Sequence, residues 1–208
     1  DKWLQDPVRP THTTGTYTAS TPLVNGASQT GSTISTDGWA SGAATLNKGD
    51  IFTIAGVNSV NPLSYSSTGR LQQFVVTATT SDASGAMATL PISPSIITSG
   101  QLQTVDASPA NNAVITVLGT TAAAGGTLAT TTSPQSFVYH PDAFAFVMAD
   151  LMKPGAGAES TTVRSKSLGF SIRMVEQYQI GTDQNPSRLD ILIGAATIQA
   201  RLASRVWG

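Results

Sequence analysis

Apolar and polar positions alternate in short runs along most of this chain. Lys48-Gly-Asp50 is followed by Ile51, Phe52, Thr53, Ile54 and Ala55, and Gly56 stops the run. An exposed Lys-Gly-Asp turn feeding an alternating segment predicts a β-strand entering a small barrel or sandwich. Leu71–Thr79 is a second candidate strand, rich in β-branched residues, and Ala86–Ile92 a third, with Pro91 placing it at an edge or a bulge. Ala113–Leu118 closes the series. Asn25-Gly26, Asp37-Gly38 and Asn61-Pro62 punctuate these runs as turns. Short strands with frequent turns predict an antiparallel barrel or sandwich over about residues 15–119.

The flanks differ from this middle zone. Residues 1–14 read as extended, because Pro7 and Pro10 oppose both helix and central strand. Residues 120–133 are rich in Thr, Ala and Gly and predict a flexible connection whose deletion, over 121–131, is tolerated. From 134 to 208 the pattern becomes mixed. Pro141 suits a first helical position, and Phe144, Val147, Met148 and Leu151 fall on one helical face, so a helix is predicted until Lys153-Pro-Gly155. Phe170, Ile172 and Met174 alternate with Ser171 and Arg173, which predicts a half-buried strand. Leu189, Ile191 and Ile193 alternate likewise up to Gly194, so a charge at Ile191 or Ile193 is expected to block folding. The fold class read from these zones is mixed: β-rich α+β.

Composition narrows the function classes. Hydrophobic residues make up 40% but charged residues only 11%, well below the roughly 25% of ordinary soluble domains. Such a surface suits a subunit covered by neighbours, and equally a secreted β-rich adhesin or carbohydrate-binding module. A net charge of −1 gives no global field for nucleic acid or anionic membrane. The absence of cysteine removes disulfides, thiolate zinc sites and a cysteine nucleophile. No apolar run approaches the roughly 20 residues that span a bilayer. The chain begins at Asp1 rather than Met, which reads as a processed product, an engineered piece or part of something longer.

Candidate chemistry is sparse. His140, Pro141 and Asp142 are adjacent at a predicted helix start, where the helix dipole accounts for the carboxylate and no third group converges. His12 sits in a Thr-rich extended piece with no ligand-spaced partner. Asp142, Asp150, Glu159, Glu176, Asp183 and Asp190 show no Asp-x-Asp-x-Asp-Gly loop, so no metal and no cofactor is assigned. No Gly-x-Ser-x-Gly elbow or phosphate loop is present, and no catalytic residue is assigned. Trp3, Trp39 and Trp207 read as core or interface anchors. Only four of the eleven Lys and Arg residues lie in 1–135 (Lys2, Arg9, Lys48 and Arg70). Arg164, Lys166 and Arg173 form the basic cluster of the remainder, a candidate contact for DNA or for acidic residues of a neighbour. Asp183, Arg188 and Asp190 are candidates for salt bridges within or between subunits.

Particular strings add a family signal. Lys48-Gly-Asp-Ile-Phe-Thr-Ile-Ala-Gly-Val57, Val60-Asn-Pro62 and Ile92-Ser-Pro-Ser-Ile-Ile97 resemble the insertion domain of a tailed-bacteriophage major capsid protein. The branch is the gene-five coat protein of short-tailed phages. Phe137-Val-Tyr-His-Pro-Asp-Ala-Phe144, Met148-Ala-Asp-Leu151, Gly169-Phe-Ser-Ile-Arg173 and Asp183-Gln-Asn-Pro-Ser-Arg-Leu-Asp190 resemble the C-terminal part of the same subunits, in the same order. The matching stretch corresponds to the C-terminal half of such a subunit.

The resemblance implies a tailed-phage capsid fold, with apical and peripheral segments carrying a small antiparallel β-barrel insertion domain. On that reading 1–14 leads in from the apical domain, 15–119 is the barrel, 120–133 the connection, and 134–208 returns through apical and peripheral segments. It implies a structural protein rather than an enzyme, self-assembling as pentamers and hexamers into an icosahedral head. The implied partners are further copies, a scaffolding protein and portal, and packaged double-stranded DNA held by weak non-specific contact, with no membrane. The implied location is the virion capsid, assembled in the host bacterial cytoplasm. Leu189–Ala203 is expected in the peripheral layer, its apolar face under the shell.

Overall fold

The computed structural model describes residue 7 and residues 9–120, 126–155, 157–165 and 169–207. Contacts divide the chain into two units, residues 1–135 with 207–208, and residues 136–206.

The first unit holds β1 (Thr11–Thr13), β2 (Tyr17–Ser20), β3 (Leu23–Val24), β4 (Gly31–Asp37), β5 (Thr45–Leu46), β6 (Ile51–Val60), β7 (Ser67–Val76), β8 (Thr80–Ser81), β9 (Met87–Ile96), β10 (Ile115–Val117) and β11 (Gly126–Leu128). It also takes the start of β12 (Thr132–Tyr139). Six strands form one antiparallel sheet in the order β10-β6-β7-β9-β4-β3. Its two edges meet, because Leu23 bridges Val114 and hydrogen bonds run from Val24 N to Ala113 O (3.0 Å) and from Ile115 N to Pro22 O (2.9 Å). Closure satisfies edge groups that an open sheet would leave exposed. The predicted barrel is therefore present.

Alternation puts one side of each barrel strand inside. Phe52 and Ile54 from β6, Phe74 and Val76 from β7, and Leu90, Ile92 and Ile96 from β9 are all buried. Phe52 and Phe74 are register partners whose rings stack at 5.7 Å. Trp39 meets Tyr17 edge-on at 5.2 Å, and its indole N–H donates to Thr36 Oγ1 at 2.9 Å, so the buried polar atom is satisfied. Burial pushes the Tyr17 hydroxyl up to about 12, against a smaller opposing effect of its hydrogen bond with Thr120. Pro91 sits in the interior strand β9, beside a register shift between its pairing with Thr33 and the pairing of Ile96 with Gly31. The bulge, rather than an edge, accommodates it. Asp37-Gly38 turns where Gly38 takes φ +73°, and a Cβ there would lie 2.4 Å from Thr21 O, so glycine is required twice over.

Two expectations for this unit change. The Lys-Gly-Asp turn is not exposed throughout: Lys48 is, but Asp50 is buried. The 120–133 connection is not wholly loose, since β11 pairs with β2 and Leu128 lies in the core. Within the segment 121–131, residues 121–125 lie outside the described residues. Removing 121–131 deletes Leu128 and so costs core burial, which reverses the expected tolerance.

The second unit continues β12 and adds β13 (Phe144–Met148), β14 (Glu159–Arg164), β15 (Ser171–Glu176), β16 (Ser187–Asp190), β17 (Ile193–Thr197) and β18 (Ala203–Trp207). The predicted helix is absent. Pro141–Ala143 forms a single 3-10 turn, with His140 Nδ1 accepting from Asp142 N at 3.3 Å, and Phe144 then leaves it extended. Phe144–Met148 pairs antiparallel with Ile193–Thr197. Phe-Ala-Phe-Val-Met is dominated by residues that favour a pleated surface, and a lone helix of about 11 residues is marginal even with good formers. Among the described residues the helical structure is confined to this turn and another at Ala200–Leu202, so the α part of α+β is corrected to β-rich. No described helix is long and apolar enough to cross a membrane.

This unit buries little apolar surface. Among its described residues Ala143 is the buried hydrophobic, whereas Phe146, Val147, Leu189, Ile191 and Ile193 are all more than half exposed. Ile191 and Ile193 are thus not core residues of this chain, contrary to expectation. Phe74→Ala should lower stability by about 3–5 kcal/mol, the usual range for emptying an aromatic core site. Ile193→Asp in the same chain should change it by no more than about 0.5 kcal/mol. Chemical denaturation of both variants checks the contrast.

Candidate functional site

Two features carry the functional geometry: a buried polar node in the first unit and uncovered apolar sheet faces in the second.

The node is built on Asp50, at the start of β6. Asn47 to Asp50 forms a tight turn closed by Asp50 N to Asn47 O at 3.0 Å. That turn brings the carboxylate inward, where His12 Nε2 lies 2.9 Å from Oδ1 and Oδ2 accepts from Asn47 N (2.7 Å) and Gly15 N (3.0 Å). Asp50 is 1% exposed and His12 9%. A buried carboxylate needs such a full set of donors. Gly15 is dictated by the same closeness: a Cβ there would lie 2.0 Å from Thr45 O and 2.9 Å from Asp50 Oδ2. Around the node, Asn47 Nδ2 donates to Thr13 O, and Thr16 and Thr45 exchange two backbone bonds of 2.8 Å each. His12 does have a partner, then, 38 residues away and invisible to ligand spacing. With both side chains buried, the node acts as a structural tie.

Two further carboxylates organise loops. Asp82 accepts from the backbone N–H groups of Gly42, Ala44 and Gly85, with Gly42 and then Gly85 most responsible for holding it below the usual carboxylate range. Burial pushes Asp106 up, but hydrogen bonds from Asn58 and Ser67 outweigh this and leave it low.

In the second unit, β14-β15-β16 form a three-stranded antiparallel sheet. Val163 opposes Ile172 and Met174 opposes Leu189, which gathers these four on one face. All four are exposed, from 38% at Met174 to 69% at Leu189. Facing the other way, Ser171 is buried and the Arg173 and Asp190 side chains are only 13% and 19% exposed. The strand alternates as predicted, but the covered side is the polar one. The β13–β17 ribbon adds exposed Phe144 and Phe146, the latter edge-on to Phe170 at 5.9 Å.

The candidate charged residues separate. Arg164 is exposed and 3.7 Å from Asp150, an ion pair of little energetic weight. Lys166 lies outside the described residues. Arg173 is a register partner of Asp190, donates to its Oδ2 at 2.5 Å and also to the Met152 carbonyl. Its Nε is buried without a hydrogen-bond partner. Arg188 Nε lies 2.9 Å from Asp190 Oδ1, and the Arg173 bond, then Arg188, holds the Asp190 carboxyl below its ordinary range. Asp183 stands apart at φ +49° and accepts from the Tyr178 hydroxyl at 2.6 Å, which raises the tyrosine. The structure thus joins Arg173, Arg188 and Asp190 inside one chain and brings neither Arg164 nor Asp183 to them. His140 and Asp142 are exposed neighbours, 3.4 Å apart. Among the described residues no three His, Cys, Asp or Glu residues gather in a way that could hold a metal ion. Trp39 is a core anchor, while Trp3 and the side chain of Trp207 lie outside the described residues.

The first unit is a closed barrel with a buried carboxylate tie, and the second carries sheets whose apolar faces stand open, a feature that marks protein contact. The sequence model of the P22 coat protein family, described as "P22 coat protein - gene protein 5", matches residues 10–204. The chain belongs to that family, and so is a bacteriophage coat protein with a structural role in the capsid. Among solved structures it is similar to the CUS-3 coat protein I-domain, with 31% identity over 49% of this chain and 96% of that one, at a TM-score of 0.35. No curated protein matches it.

Asp50→Ala should cost about 3–5 kcal/mol, because it removes the acceptor of the Gly15 and Asn47 N–H groups and a charged partner of His12. Guanidinium unfolding followed by circular dichroism checks this, and a loss below about 1 kcal/mol would contradict the node's weight.

Proposed function

We propose that this chain builds the shell of an icosahedral phage head, assembling as pentamers and hexamers around double-stranded DNA. The observation that carries the reading is the inverted sheet of the second unit, whose polar face is covered while Val163, Ile172, Met174 and Leu189 face solvent. Contiguous apolar surface of this kind marks protein contact, and family membership makes further coat-protein polypeptide the natural cover. Ring contacts between copies are heterologous, one surface against a different surface, with a rotation that closes. Each contact can be weak, because every copy is held by several neighbours at high effective concentration.

In this reading residues 15–119 are the insertion domain and 134–208 supply apical and peripheral segments. Residues 1–14 lead in and 120–133 connect. A scaffolding protein and portal guide assembly in the host bacterial cytoplasm, and the finished location is the virion. Packaged DNA meets the shell through weak, salt-dependent contacts. Arg164 and Lys166 are the better candidates for that role, since Arg173 is already neutralised by Asp190. Arg188 and Asp183, both at the surface, are the candidates for ion pairs with a neighbour.

Negative-stain electron microscopy of native source material should show closed shells of uniform diameter containing this chain. Only small monodisperse particles, with no shell, would overturn the proposal.

A further inference from the structure

Among the described residues, a seam of hydrogen bonds between polar groups joins the stem of the first unit to its barrel, and Tyr17 and Leu128 of the core follow next along the same ribbon. The stem pairs β1 with the start of β12, Thr11 opposite Pro134 and Thr13 opposite Thr132. It is reinforced by Thr14 N to Thr131 O (3.0 Å) and Thr131 N to Thr14 Oγ1 (2.9 Å). Between Thr11 and Thr16 the sequence is Thr-His-Thr-Thr-Gly-Thr, with no aliphatic or aromatic side chain except the imidazole. The apolar core begins only at Tyr17. The described ties between this segment and the barrel edge at 45–50 include the Asp50 carboxylate with His12 and Gly15, the Asn47–Thr13 bond, and the Thr16–Thr45 pair.

Apolar cores open cooperatively because every contact shares one desolvated volume, whereas a seam of hydrogen bonds can exchange its partners for water segment by segment. The exchange is local here. The stem keeps its own bonds between β1 and β12, and the barrel keeps its closed sheet and all its apolar contacts. Asp50, once the seam opens, is solvated instead of stranded.

We infer that the His12–Asp50 seam is a latch, which lets the stem release from the barrel as a unit while the barrel stays folded. The device allows the barrel to change its angle on the stem without unfolding, and it stands independently of the shell reading.

Amide hydrogen exchange on the full chain tests it. In His12→Ala, the amides of Gly15, Thr16, Thr45 and Asn47 should exchange about tenfold faster or more through an opening nearly insensitive to denaturant, while those of Phe52, Ile54, Phe74 and Val76 keep the steep denaturant dependence of global unfolding. A steep denaturant dependence at the seam amides of that variant, or no change at the seam, would overturn the latch. If that variant does not fold, the unaltered chain decides. In low guanidinium, seam amides should exchange through an opening that is nearly insensitive to denaturant, unlike the core amides. A single shared dependence for seam and core would overturn it.

Discussion

The first unit depends on one buried carboxylate. Asp50 stands where the turn from Asn47 delivers the chain into β6, the strand that carries Phe52 and Ile54 into the core. A charge so placed costs several kcal/mol unless every lone pair is met. Meeting it draws in His12 from one side, and Gly15 and Asn47 from another. Gly15 has to be glycine because the tie is so close. A single acidic residue thereby fixes where the strand starts, where the incoming chain lies and which residue is allowed there.

The two units solve the burial problem differently. The barrel closes on itself and keeps its apolar side chains inside, with Phe52, Phe74, Trp39 and Tyr17 in paired contact. Among its described residues the second unit makes sheets with Ala143 as the buried hydrophobic, and its covered polar groups are Ser171 and the Arg173–Asp190 pair. Leaving Phe146, Ile193 and Leu189 in water is unfavourable unless something covers them. For a coat protein that deficit favours assembly.

Much of the barrel was legible in the sequence, because period-two alternation and turn residues are local signals. Leu71–Thr79, Ala86–Ile92 and Ala113–Leu118 contain parts of β7, β9 and β10, and Pro91 pointed to its bulge. Asn25-Gly26 and Asp37-Gly38 both place glycine at positive φ. The helix over 141–151 was misread for a definable reason. Pro141 and Asp142 do start a turn, but Phe144, Val147, Met148 and Leu151 also suit a strand, and pairing with Ile193–Thr197 decided the matter. Burial of Ile191 and Ile193 was inferred from alternation, which tells which residues share a face but not whether anything lies against it. His12 and Asp50 were unreadable as a pair, since nothing local links residues 38 apart. The Arg188–Asp190 pair was readable because its members are two residues apart, while the addition of Arg173 required the β15–β16 register.

The central claim is that the open sheet faces of the second unit are covered in the working particle. Hydroxyl-radical footprinting of native particles, read at Met174, Phe146 and Leu189, tests it most directly. The account predicts that these side chains react about tenfold more slowly in the particle than in the separated chain, where they are exposed. Equal reactivity in both states would contradict it.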